Sequence, residues 1–167
     1  TIGPDQIPLI AMAVNKRFMH WPEFLREKHW QADVDNKDIP IVIGGPDNMC
    51  EVFAERILPH DRTIFEGSST EAALMKISRN AMLAAKVAQA NHLYDLCTEH
   101  KCSYKLIRKF MIEDGTLGAT HWDVPGHDNG RGFGGKCLPK DTKHYESLFK
   151  EDNMYTALLD YNDTIYP

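Results

Sequence analysis

Ser68 to His100, SSTEAALMKISRNAMLAAKVAQANHLYDLCTEH, contains neither proline nor glycine and is dense in Ala, Leu and Met. The spacing predicts one long α-helix. Ser68, Ser69 and Thr70 are N-cap candidates, and Glu71 puts an acidic residue where the helix dipole favours it. At 1.5 Å per residue such a helix would be roughly 45 Å long. Few single domains bury so long a helix unaided, which places a subunit interface along 68–100. Working outward, Tyr104–Ile112 predicts a second helix, 113–130 a glycine-containing loop, and 139–149 and 153–165 two more helices. Upstream, residues 1–66 read as mixed α/β. Ile39-Pro40-Ile41-Val42-Ile43 is a β-branched strand stopped by Gly44-Gly45-Pro46, Asp47–Leu58 has helical spacing, and Thr63-Ile64-Phe65 is a short strand. Pro4-Asp5-Gln6 opens a short helix. The fold class is therefore α+β, mainly α: a small α/β lobe, then a helical domain built on one long helix.

The bulk numbers bound the function. The chain has 167 residues, 43% hydrophobic and 26% charged, an ordinary composition for a folded domain. Nineteen basic against 24 acidic residues give a net charge of −5, which argues against nucleic acid or an anionic membrane as partner. No apolar run approaches the roughly 18 residues of a membrane span. Cys50, Cys97, Cys102 and Cys137 do not form a disulfide framework, and a reducing, cytoplasmic setting is expected. Cys97-x2-His100-x-Cys102 lacks a second ligand pair, so no metal is expected there and buried thiols at a helix end are. The chain starts at Thr1 rather than methionine, as a piece of a longer protein would.

Gly130-Arg131-Gly132-Phe133-Gly134-Gly135 satisfies G-x-G-x-x-G, and Gly130 to Lys136 satisfies G-x-x-x-x-G-K. Both patterns work only when a buried strand feeds the loop. The upstream Val124-Pro125-Gly126 cannot be such a strand, and Cys137 stands where a P-loop needs a hydroxyl. Both matches are incidental. Pro139 suits the first position of a helix, which sets Cys137 at a helix N-terminus, where the dipole, Lys136 and Lys140 favour a thiolate. The N–H groups of Gly134, Gly135 and Lys136 could form a nest for an oxyanion. A glycine turn with an inert, buried cysteine is the alternative, and spacing leaves both open.

Lys76 and Asn80 are four residues apart and share one helix face. Taken alone, that spacing favours solvent exposure. Glu23, just after Pro22, is placed to put a carboxylate into a cleft, whereas Glu27 reads as a surface residue.

Together these segments resemble one family. Pro22-Glu23-Phe24-Leu25-Arg26-Glu27 is similar to its PEFLxEG segment, and Glu71 through Lys76 and Asn80 to Lys86 is similar to its EAELxKxxxNxxLAxK helix. His121, Val124-Pro125-Gly126 and Gly132-Phe133-Gly134-Gly135-Lys136-Cys137-Leu138-Pro139-Lys140-Asp141 resemble its HxxVPG and GFGGxCFPKD signatures. The family is the UDP-glucose/GDP-mannose dehydrogenases, whose members oxidise a nucleotide-sugar alcohol to a carboxylate in two hydride transfers to NAD.

The resemblance implies a role for each matching residue. Cys137 is the nucleophile that forms a thiohemiacetal and then a thioester. Lys76 and Asn80 stabilise the oxyanion or assist proton transfer, and Asp141 positions water or Lys76. Glu23 is a general acid/base in thioester hydrolysis, and Thr1 helps to place water or substrate. Phe24, Leu25, Gly134 and Lys140 line the sugar site, while Glu27 and Cys137 lie near the cofactor. Residues 1–66 would be the C-terminal part of an NAD-binding Rossmann domain, and 67–167 the central dimerisation domain, pairing through the 68–100 helix.

This sequence departs from the family pattern in places. It lacks the Rossmann G-x-G-x-x-G after a first strand, so most of the NAD site is absent. Thr116 stands where relatives carry an arginine, and Leu138 replaces phenylalanine. Two readings follow: a segment of an NAD-dependent nucleotide-sugar dehydrogenase that is inactive by itself, or a catalytically inactive dimerisation or scaffold module.

Overall fold

The computed structural model describes residues 1–14, 18–26, 29–127 and 129–166. In chain order they form α1 (Ile7–Ala13), α2 (Trp30–Asp35), β1 (Ile41–Gly44), α3 (Asp47–Ile57), β2 (Ile64–Gly67), α4 (Ser69–Glu99), α5 (Tyr104–Glu113), α6 (Cys137–Ser147) and α7 (Met154–Ile165). The mainly helical α+β class expected from the sequence is the one observed. Two compact units are present, Thr1–Ile77 and Ser78–Pro167, and the boundary falls within α4.

In the first unit β1 and β2 are parallel, with Ile41 opposite Ile64 and Gly44 opposite Gly67. Parallel neighbours need a crossover, and α3 supplies it. Every residue of β1 is buried, while β2 is half exposed. Ile41, Ile43, Cys50, Ala54 and Leu58 make the core, with Met19, Phe53 and Ile64 packed against it. The chain at His20 joins β1 as an antiparallel bridge: its N–H donates to the Gly44 carbonyl at 2.7 Å and its carbonyl accepts from Gly44 at 2.9 Å.

The helix α2 has no counterpart among the sequence expectations. It is held by Asp33, a buried carboxylate that accepts from the Arg26 backbone N–H at 2.7 Å and from its guanidinium Nε at 3.0 Å. Those bonds to Arg26 hold the Asp33 carboxyl down at about 2. A carboxyl depressed in the folded state stabilises fully above its unfolded value of about 4. We therefore expect the stability of the first unit to fall as pH drops from about 4 towards about 2. Asp33→Asn should flatten the acid limb of a circular-dichroism pH titration over that window; an unchanged limb would refute the assignment.

The N-terminus of α4 is closed by a capping box. Glu71 N–H donates to Ser68 Oγ at 3.2 Å, and Glu71 Oε2 accepts from Ser68 N–H at 2.7 Å. Its C-terminus ends in a left-handed Lys101 at φ 53°, with Cys102 N–H bonded to the Cys97 carbonyl at 2.9 Å and Lys101 N–H to the Thr98 carbonyl at 3.2 Å. That pattern is a Schellman stop built without glycine. It buries Cys97 but leaves Cys102 at the surface, so the expectation of two buried thiols is only half right. Ala81, Ala84, Ala88 and Ala90 are buried along the second unit's part of α4. Side chains this small let neighbouring backbone approach closely.

The helix α6 starts at Cys137, not at Pro139, so Pro139 occupies the third helical position. Proline fits there too, because the first turn has no intrahelical partners for its N–H groups. No helix among the described residues is long and apolar enough to cross a membrane.

Candidate active site

Within the first unit, Glu23, Phe24, Leu25 and Lys76 come together. Lys76 is buried, contrary to the exposure that its spacing favoured. Its Nζ lies 3.7 Å from Glu23 Oε1 and 5.3 Å from the Phe24 ring centroid. An ammonium taken out of water needs such company, a carboxylate on one side and a π-face on another. Glu23 is mostly exposed and accepts a 2.8 Å bond from Leu25 N–H, which fixes its orientation. Trp21, Glu23, Phe24, Leu25, Ile39 and Arg62 help line an open cleft of about 500 Å³, the cleft-facing position expected for Glu23. Thr1 is exposed. Glu27 lies outside the described residues.

Within the second unit, Cys137 is exposed and is the first residue of α6, so it is not the buried cysteine of the alternative reading. Asp141 follows one turn later on the same face. It is fully buried and accepts a 2.6 Å bond from Asn80 Nδ2, tying α6 to α4. Asn80 is itself buried, again against the exposure its spacing favoured. Lys140 Nζ pairs with Asp141 Oδ1 from the more exposed side. Gly134 packs against the Tyr166 ring, whereas a side chain added at Gly135 would meet nothing within 4 Å. Open space therefore lies two residues before the thiol.

The loop leading to Cys137 is organised by α4 and α7. Arg131 binds Asp95 through Nη2 at 2.8 Å and Asn91 Oδ1 through Nε at 3.2 Å, and Tyr161 donates to Asp95 at 3.1 Å. The Arg131 hydrogen bond is the main reason the Asp95 carboxyl sits below its usual range. Lys86 donates to the Leu117 and Gly118 carbonyls at 2.7 and 2.9 Å and lies 5.0 Å over the Trp122 ring; burial lowers its pKa. His121 sits at φ 68°, and burial, then Lys86 and Arg79, lower its pKa. Thr116 is exposed.

Asn162 and Tyr166, which touch the glycine segment directly, went unnoticed in the sequence. The one available signal was a carboxamide in the otherwise apolar register of α7.

The described residues do not fit a dinucleotide. Gly130–Gly135 is preceded by turns and bends, with no strand among the described residues between α5 and Gly130 to aim it. The strand–turn–helix that does exist, β1 to α3, has its glycine faces filled. A Cβ at Gly44 would lie 2.3 Å from the Ser68 carbonyl oxygen, and one at Gly45 would lie 3.1 Å from the Phe18 carbonyl oxygen. The β1–α3 turn therefore leaves no room for a pyrophosphate. Among the described residues no group of three or more His, Cys, Asp or Glu could hold a metal ion.

Comparison with known proteins places this arrangement. The family model described as "UDP-glucose/GDP-mannose dehydrogenase family, central domain" matches residues 70–165. A putative UDP-glucose 6-dehydrogenase of Bacillus subtilis is 29% identical over 90% of this chain and 35% of its own length. A UDP-glucose 6-dehydrogenase of Rhizobium meliloti is 32% identical over 72% of this chain and 28% of its own. This chain thus spans about a third of the relatives it matches. Among solved structures, a UDP-glucose dehydrogenase from Pyrobaculum islandicum superposes with a TM-score of 0.80 at 28% identity, covering 98% of this chain and 40% of that one. With its matched helices, its glycine loop and a cysteine heading α6, the chain belongs to the UDP-glucose/GDP-mannose dehydrogenase family.

Proposed function

We propose that this chain is the substrate-side segment of an NAD-dependent nucleotide-sugar dehydrogenase, acting on UDP-glucose or a related UDP- or GDP-sugar. The observation that carries the reading is the exposed Cys137 at the head of α6, beside the open face of Gly135 and one turn before the buried Asp141–Asn80 pair. In this reading the Cys137 sulfur adds to the aldehyde carbon, the carbonyl oxygen takes a proton, and a thiohemiacetal forms. Two-electron oxidation of that adduct, its hydride passing to an acceptor such as the NAD that the family resemblance implies, would leave the sugar carbon as a thioester, which water cleaves to carboxylate and free thiol. Asn80 and Lys76 offer N–H donors to the oxygen that becomes negative. Asp141, desolvated and bonded to Asn80, orients that donor. Glu23 serves as acid/base in the hydrolysis, with Thr1 helping to place the water. Phe24, Leu25, Gly134 and Lys140 contact the sugar, and Glu27 belongs to the cofactor side.

Residues 1–66 are read as the end of the NAD domain and 67–167 as the dimerisation domain. Met82 on α4 is two-thirds exposed, and Leu74 and Met75 are also exposed. Such apolar side chains on a long helix support pairing with a second copy. NAD itself is implied by the family resemblance, and no step is assigned to it on these residues. For residues 1–167 alone no NAD reduction with UDP-glucose is expected; robust turnover would refute that.

The thiol gives the more direct test. Cys50 and Cys97 are buried, and Cys102 lies in the turn between the end of α4 and the N-cap of α5, outside both helices, whereas Cys137 is the first residue of α6. A helix dipole stabilises negative charge at its N-terminus and opposes it at its C-terminus. Iodoacetamide at neutral pH is expected to alkylate Cys137 about threefold to tenfold faster than Cys102, as read by peptide mass spectrometry. Equal rates would count against the nucleophile and favour an inactive dimerisation or scaffold module.

A further inference from the structure

The segment before Cys137 is rich in glycine. It contains three glycines between 132 and 135, two of them at positive φ: Gly132 at 78° and Gly135 at 74°. Glycine there allows the path but does not enforce it. Arg131 ties the start of the loop to Asn91 and Asp95 on α4, and its glycine-rich centre is held from the far end of the second unit.

Asn162, in the last turn of α7, is 5% exposed. Its Oδ1 accepts from Phe133 N–H at 2.7 Å and its Nδ2 donates to the Phe133 carbonyl at 3.1 Å. One carboxamide thus satisfies both backbone polar groups of one residue, the pairing a neighbouring β-strand would supply. The Phe133 side chain is buried as well. The flanking glycines are shaped to this contact. A Cβ at Gly132 would lie 2.6 Å from Asn162 Oδ1, and one at Gly134 would lie 1.9 Å from the Tyr166 hydroxyl. Gly132 and Gly134 are therefore where α7 and the residue after it press onto the loop. Few side chains can replace Asn162: aspartate keeps the acceptor but turns a carboxylate towards the Phe133 carbonyl, and leucine has neither group.

We infer that Asn162 is a positioning residue for the nucleophile, its two-pronged bond to the Phe133 backbone setting the path of the glycine segment that delivers Cys137 to the head of α6. The inference rests on Cys137 being the reactive thiol and adds to it the element that aims it. A mutation on α7 then acts on chemistry four residues beyond the backbone it touches.

The test compares iodoacetamide rates at Cys137 and at Cys102, an internal reference in the turn that closes α4, in the native chain, Asn162→Leu and Asn162→Asp. Asn162→Leu is expected to bring the Cys137:Cys102 rate ratio down to about one, a drop of about threefold or more, and Asn162→Asp to lower it by less, since it keeps one of the two bonds. Buried Cys97 should stay unlabelled in both. An unchanged ratio in both variants overturns the inference. So does a change that exposes Cys97 to the same degree, because the role is then only structural. Failure of the nucleophile reading shows separately, as a Cys137 no faster than Cys102 in the native chain.

Discussion

Gly44→Ala is expected to destabilise the first unit by about 3 kcal/mol, at the upper end of overpacking costs. The added Cβ would lie 2.3 Å from the Ser68 carbonyl oxygen and 2.7 Å from the Ala72 Cβ, and neither neighbour is free to retreat. Ser68 is committed to the capping box at the start of α4. Gly44 is held on both sides, by His20 through two backbone bonds and by Ser69 Oγ donating to its carbonyl at 2.8 Å. For a chain of this size the melting temperature should fall by roughly 10 °C. Gly115→Ala is the control: its Cβ meets nothing within 4 Å, but φ is 75°. It should cost only the left-handed penalty of about 1 kcal/mol. Equal effects at the two glycines would refute the packing argument.

The second large effect is at Asp141. Asp141→Ala removes the acceptor of the buried Asn80 amide and leaves Lys140 without its carboxylate. Breaking a desolvated pair from one side strands the other, at a cost of about 3 kcal/mol in urea unfolding. Asn80→Ala in the Asp141→Ala background should then cost clearly less than Asn80→Ala alone, with a coupling of about 1–2 kcal/mol. Additive losses would show that the 2.6 Å bond contributes little. In the proposed reaction the same variant also lowers turnover, because the Asn80 donor loses the group that orients it.

How much of this could be read from the sequence depends on how local each cause is. The helix α4 was legible because its signals are contiguous: a serine–glutamate cap, no proline or glycine, and alanine throughout. The β1–α3–β2 crossover was legible from β-branched residues and a Gly-Gly-Pro stop. The helix α2 was not, because Trp30–Asp35 depends on Asp33 reaching back to Arg26. Lys76 and Asn80 were placed in solvent by their spacing, whereas both are buried. Their burial depends on Glu23 and Asp141, partners supplied by distant segments. The start of α6 was set two residues late because a proline is equally compatible with either position in a first turn. Asn162 stayed hidden because a carboxamide in an apolar register does not say which backbone it binds, and its partner Phe133 lies 29 residues away.

The two buried cysteines make the stability of each half of the chain separately measurable. Cys50 lies in the core under β1 and Cys97 in the last turn of α4, one in each compact unit. Burial raises the pKa of both thiols, so they react only when their surroundings open. Under native conditions the labelling rate of each then reports a local opening equilibrium rather than global unfolding. Gly44→Ala should accelerate Cys50 alone, and Asp141→Ala should accelerate Cys97 alone. Two thiols with no part in the proposed chemistry thus become gauges of how independently the halves of this chain breathe.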